Sequence, residues 1–127
     1  MANINDILRR RDGHQSALNR EEALKGRYET LHTRLSSIVN MLGNGRTEVR
    51  KAIQEFNQHY SSNSGNSNAR TIQTRLEQRE QELDNIIKRM VEITSEVNTR
   101  IGSLSTSIQT HRTGLYRANM DLTAAQS

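Results

Sequence analysis

Four histidines, two short glutamate clusters, one triple arginine and one Gly-Asn-Gly are the residues of this chain whose types could do chemistry. His14, His32, His59 and His111 never fall at the i, i+4 spacing that sets two imidazoles on one helical face for a metal ion. His14 and His111 can meet only if the chain folds back on itself, and no metal is expected. Glu21-Glu22 and Glu80 to Glu82 read as solvated helical faces rather than as acid/base pairs. Gly43-Asn44-Gly45 is followed by Arg46-Thr47, not by the Lys-Ser or Lys-Thr that a phosphate-binding loop requires, and no strand precedes it. Arg9, Arg10 and Arg11 form the one basic run, without the interleaved aromatics on which bases stack, so no nucleic acid is expected. The chain has no cysteine, which removes thiol catalysis and a disulfide framework. The residues point to a non-catalytic protein without a cofactor.

Composition explains why nothing converges. Of 127 residues, 32% are hydrophobic and 3% aromatic, and proline and tryptophan are absent, so thin helical packing is favoured over a globular core. The net charge of +4 arises from fifteen Arg and three Lys against fourteen acids, a mixed-sign surface with a mild excess. There is no long uncharged apolar run and no signal-peptide pattern in MANINDILRRRD, which predicts a chain made in the cytoplasm with no membrane span.

The organising stretch is Ser61 to Asn68, SSNSGNSN, eight small polar residues between two long periodic segments. Such residues compete with helical hydrogen bonds or turn the backbone, so the stretch predicts the tip of a hairpin. The expected fold is all-α: a single antiparallel two-helix hairpin domain with one arm over 3–60 and the other over 69–126.

In the first arm, apolar residues step by four and three through Leu24, Tyr28, Leu31, Leu35, Ile38, Leu42, Gly45, Val49, Ala52, Phe56 and His59. Two glycines in three residues predict a kink or break at Gly43 to Gly45, and Asp12-Gly13 favours another. In the second arm the seam reads Ala69, Ile72, Leu76, Arg79, Leu83, Ile86, Met90, Ile93, Val97, after which Ile101 lies four on where three is due. That is a stutter, expected to unwind the supercoil locally. The Ser- and Thr-rich half that follows, 94–114, is expected to form a helix that is marginal alone.

Setting Tyr60 opposite Ala69 fixes a register. It places Gly26 near Gly102, where missing side chains would let the helices approach closely, and brings 38–42 opposite 86–91. There Val39 and Met41 on one arm, and Ile87 and Val91 on the other, lie beside the assumed seam. A two-helix hairpin cannot bury them all, and contiguous exposed apolar surface marks an interface. The expected partner face is therefore Val39, Met41, Ile87, Met90 and Val91, with Ile4 and Leu8 as a weaker contact. On this reading, Val39→Asp with Ile87→Asp abolishes binding and spares helicity.

Over its whole length the chain resembles, in pattern, the accessory targeting factors that accompany LXG-type toxins of the type VIIb secretion systems of Gram-positive bacteria. The stretches that carry this are NREEALKGRYETLHTRL and EVRKAIQEFNQHY in the first arm, the polar tip, and ARTIQTRLEQREQELDNI opening the second. The resemblance implies a small helical partner that packs beside a larger helical LXG domain, alone or with a second small factor, and presents it for export, either staying in the cytoplasm or leaving the cell with it. The chain lacks the Trp-x-Gly turn of related secreted hairpins, and neither Phe56 nor any Tyr is followed four residues later by an acid. That fits the member of a factor pair without the export signature. The same pattern suits type III or flagellar export chaperones, and also a self-assembling coiled-coil scaffold in which the mid-arm band pairs two hairpins as a homodimer.

Overall fold

With no proline to interrupt either arm, both become single helices. In a computed structural model, which describes residues 3–60 and 67–127, α1 spans Ile4–Tyr60 and α2 spans Ser67–Gln126. The fold is all-α, a hairpin-like pair of packed helices. Asn3 caps α1: its side-chain oxygen accepts the Asn5 N–H at 2.9 Å, and its carbonyl accepts the N–H groups of Asp6 and Ile7. Most of the expected tip, 61–66, lies outside the described residues, and α2 begins at Ser67, two residues before the expected start.

Neither predicted break in α1 occurs. The helix runs through Asp12-Gly13 and through Gly43-Asn44-Gly45, and no glycine among the described residues has a positive φ. Two mid-helix glycines cost about 1 kcal/mol each against alanine. The flanking Leu42, Arg46 and Val49 are partly buried against α2, and tertiary packing overrides that local cost.

The chain divides into two compact units, one of Met1–His32 with Glu96–Ser127, the other of Thr33–Ser95. In the first, Arg10 bridges to Asp121, and Arg112 to Glu22 at 3.0 Å, so the helices run antiparallel. Its core is Ile7, Ala17 and Leu18 against Val97, Leu104, Ile108 and Ala118. In the second, Arg46 meets Asp84 at 3.3 Å and the Gln73 amide donates to Asn57 at 3.0 Å. Both pairs lie one residue from the predicted register.

Burial locates the true seams, and they differ from the expected ones. On α1 the covered positions are Tyr28, His32, Leu35, Val39, Leu42, Arg46, Val49, Ile53 and Phe56, while Leu31, Ile38, Gly45, Ala52 and His59 face outward. On α2 they are Ala69, Gln73, Leu76, Glu80, Leu83, Ile87, Met90, Thr94, Val97, Ile101 and Leu104; Ile72, Arg79 and Ile86 are exposed and Ile93 half-buried. Every second seam position is thus one residue later than predicted over these stretches. The four-three stepping then continues through Val97 without the expected stutter, which came from following the wrong edge of a wide apolar stripe.

The expected close approach at Gly26 and Gly102 is also absent, since a Cβ at either position would meet nothing within 4 Å. Gly114 is the tight one: a Cβ there would run into the His14 imidazole at Nε2. Gly43→Ala, by contrast, enters open space and is expected to stabilise the protein by about 1 kcal/mol through helix propensity. Gly114→Ala is expected to lower the melting temperature despite the same propensity gain, because the His14 ring must leave its position. Combined with His14→Ala, Gly114→Ala should become stabilising, which a double-mutant cycle in thermal denaturation reads directly.

Candidate functional site

Lettering the seam positions a and d gives each helix two flanks, g with c on one side and e with b on the other. In an antiparallel pair g lies opposite g and e opposite e. Each unit has polar side chains within its seam, and the flanks decide what each surface can do.

In the unit of 1–32 with 96–127, His14 and His111 both occupy d positions and meet, Nδ1 to Nδ1 at 3.0 Å, with tilted rings. One imidazole donates and the other accepts, so the bond requires at least one of them to be neutral. Nε2 of His111 lies 3.6 Å from Oε1 of Glu21, which also accepts the Ser107 hydroxyl at 2.9 Å. The other Glu21 oxygen is buried without a hydrogen-bond partner in the structure. Ser107, Glu21, His111 and His14 thus form one polar chain across the seam, with the His14 ring lying against Gly114. No group of three or more His, Cys, Asp or Glu able to hold a metal ion occurs among the described residues. On this unit's g flank, Arg10 and Asp121 form their bridge, and Ala17 and Gly114 are small enough to close the gap.

In the unit of 33–95 the polar layer lies on the e side. Nη1 of Arg46 reaches Asp84 at 3.3 Å; Arg50 donates from Nε to Glu80 at 2.7 Å and sets Nη2 3.7 Å from Asp84. The Arg50 guanidinium is held still more firmly in its charged form, chiefly by its hydrogen bond to Glu80, with help from the charge of Asp84. Around this network the e and b positions are almost all polar: Ser36, Asn40, Thr47, Arg50, Gln54 and Asn57 on α1, Thr74, Glu77, Gln81, Asp84 and Lys88 on α2.

The g side of the same unit is its opposite in character. It carries Ile38, Gly45 and Ala52 on α1 and Ile72, Ile86 and Ile93 on α2, with Met41 at the neighbouring c position. Met41 is 71% exposed, Ile86 50% and Ile38 40%. Arg79 is the one charge among these g positions, and it pairs within its helix to Glu82 at 3.0 Å. Here is an apolar face on helices whose seam is already satisfied elsewhere.

The residues predicted as a partner face do not share one surface. Ile87, at 8% exposure, is core, and Val39 and Met90 sit half-buried in the seam, so none of the three offers a free face. Val91 is exposed but on the e flank. Met41 alone belongs to the open g flank. Ile4 is exposed and Leu8 half-buried in the other unit. Ile38, Ile72 and Ile86 are exposed, although four-three counting of apolar residues assigns them to the seam, and Ile93 is half-buried beside them. The signal that finds them is continuity: only the phase through Gln73, Glu80, Ile87 and Thr94 joins Val97, Ile101 and Leu104 without a stutter.

Among the described residues no helix is long and apolar enough to cross a membrane. Comparison with protein-family models, with curated proteins and with solved structures finds no match to this chain.

Proposed function

We propose that this chain is a non-catalytic protein-binding factor that lays the g flank of its 33–95 unit against a helix of a larger client, in the manner of an LXG-type targeting factor in type VIIb export. One observation carries the reading: Ile38, Met41, Ile86 and Ile72 stand exposed on one flank while the opposite flank is closed by Arg46, Arg50, Glu80 and Asp84. A stripe wider than two helices can bury is what a third helix covers, as anchors spaced i, i+3, i+4 and i+7 along the groove. Met41 suits such a groove because its unbranched side chain adapts to the surface opposite. The factor acts in the cytoplasm, where it meets the client before export.

The test is co-expression with the helical N-terminal domain of an LXG-type toxin, followed by mass determination by light scattering during size exclusion. The expected result is a stable complex of defined stoichiometry, one-to-one or ternary with a second small factor. Separate elution of the chain and the toxin domain would overturn the client assignment.

A further inference from the structure

We propose that, in the absence of a client, the g flank of the 33–95 unit is covered by a second copy of this chain, related by a two-fold axis perpendicular to the helices through Gly45 and Ile86. The inference concerns the free chain and does not depend on what the client is.

Charges around the apolar flank are arranged to complement a second copy. The c positions form its rims: Arg34, Met41, Glu48 and Glu55 on α1, and Arg75, Glu82 and Arg89 on α2. A two-fold perpendicular to the helices packs α1 on α1 of the second copy, antiparallel, and α2 on α2 likewise. With the axis at Gly45 and Ile86, Arg34 falls opposite Glu55 of the second copy, and Glu82 opposite Arg89 of the second copy. The centre found on α1 and the centre found on α2 also face each other within the hairpin, one residue from the Arg46 and Asp84 pair. Each rim alone admits another centre, Met41 on α1 or Arg79 on α2, but only the Gly45 and Ile86 centres lie level within the hairpin; this axis sets Met41 opposite Glu48 of the second copy.

The apolar positions agree with it. Gly45 meets its own symmetry mate, and a Cβ there would meet nothing within 4 Å, so the backbones can approach. Ile86 meets Ile86, Ile38 meets Ala52 of the second copy, and Ile93 lies along the aliphatic stem of Arg79 of the second copy. In the free chain Arg79 and Arg89 pair within α2 to Glu82 and Glu92, and the dimer exchanges part of that pairing for contacts across the interface. The other closed arrangement, a two-fold parallel to the helices, sets Glu55 against Arg75 of the second copy but also Glu48 against Glu82 of the second copy, a like-charge contact that the perpendicular axis avoids. The e flank offers no comparable surface, because its apolar content is Val91 alone.

Because this flank is also the one proposed for the client, client binding is an exchange of one cover for another. A dimer of this kind need only be weak, and the free chain should shift from monomer to dimer with concentration.

Sedimentation equilibrium on the purified full chain, carried to about 0.1 mM, tests the association. The expected result is a reversible monomer-dimer equilibrium, lost in Ile86→Glu and weakened at least tenfold in Arg34→Glu and in Glu55→Arg. The double variant Arg34→Glu with Glu55→Arg restores the complementary pair and should recover most of the lost affinity. The chain has no cysteine, so Gly45→Cys introduces a lone thiol at the axis and should oxidise to a covalent dimer. Asn40→Cys, on the opposite flank, should not. A chain that stays monomeric across this range, or a dimer that Gly45→Cys fails to link and the double variant fails to rescue, overturns the inference. A monomeric chain that still captures the LXG domain would do so while leaving the client reading intact; a dimer that ignores the client would do the reverse.

Discussion

Ile87→Asp is expected to unfold the 33–95 unit, while Ile86→Asp, one residue earlier, leaves it folded. Ile87 is 8% exposed at an a position of the seam, between Leu83 and Met90. Removing a buried aliphatic of this size costs about 2–5 kcal/mol in lost transfer energy and cavity. A carboxylate in its place adds desolvation with no cation in the seam beside it except those already engaged by Asp84 and Glu80. Together these approach the whole stability of a small domain, which is about 5–15 kcal/mol. Ile86 points into solvent from the g flank, so its replacement changes little beyond helix propensity, a few tenths of a kcal/mol. Circular dichroism melts of the two variants, with amide exchange to localise the loss to 33–95, separate the cases. Equal behaviour of the two variants would mean that the seam does not run through Ile87.

The contrast shows what could be read from the sequence and what could not. The two helical arms were legible because proline is absent and both are periodic. In the 33–95 unit the register followed from the symmetry of the arms to within a residue; the meeting of His14 and His111, four residues away from it, required only that the chain fold back on itself. The phase was not legible by counting apolar residues. Leu31, Ile38 and Ala52 satisfy four-three stepping as well as His32, Val39 and Ile53 do, and the seam also admits Arg46, Gln73, Glu80 and Thr94, which a search for apolar residues passes over. Arg46, Gln73 and Glu80 are tolerated because they find partners across the pair, on Asp84, Asn57 and Arg50, and Thr94 because its hydroxyl donates back to the Met90 carbonyl. The glycines misled for a related reason: their local cost is real, but seam contacts on both sides of Gly43 to Gly45 outweigh it.

The second large effect is on binding. Ile38→Glu combined with Ile86→Glu should abolish capture of the proposed client while the protein stays folded and helical. Central apolar anchors of an interface lose about 2 kcal/mol or more on truncation, and a glutamate at each adds the cost of a charge pressed against the partner's apolar face. Two such changes amount to more than about 4 kcal/mol, roughly a thousandfold in dissociation constant. Val91→Glu is the matched control, equally exposed in the same unit but on the e flank, and should change affinity by less than about threefold. Val39→Asp with Ile87→Asp would also eliminate binding, but by destroying the seam, so it cannot identify a binding face. Calorimetric titration of the folded flank variants against the LXG domain makes that distinction. Because the two flanks of one hairpin differ so sharply in polarity, the sign of the result is set by which flank carries the charge: a client held through the e side would reject Val91→Glu and accept the Ile38 and Ile86 pair.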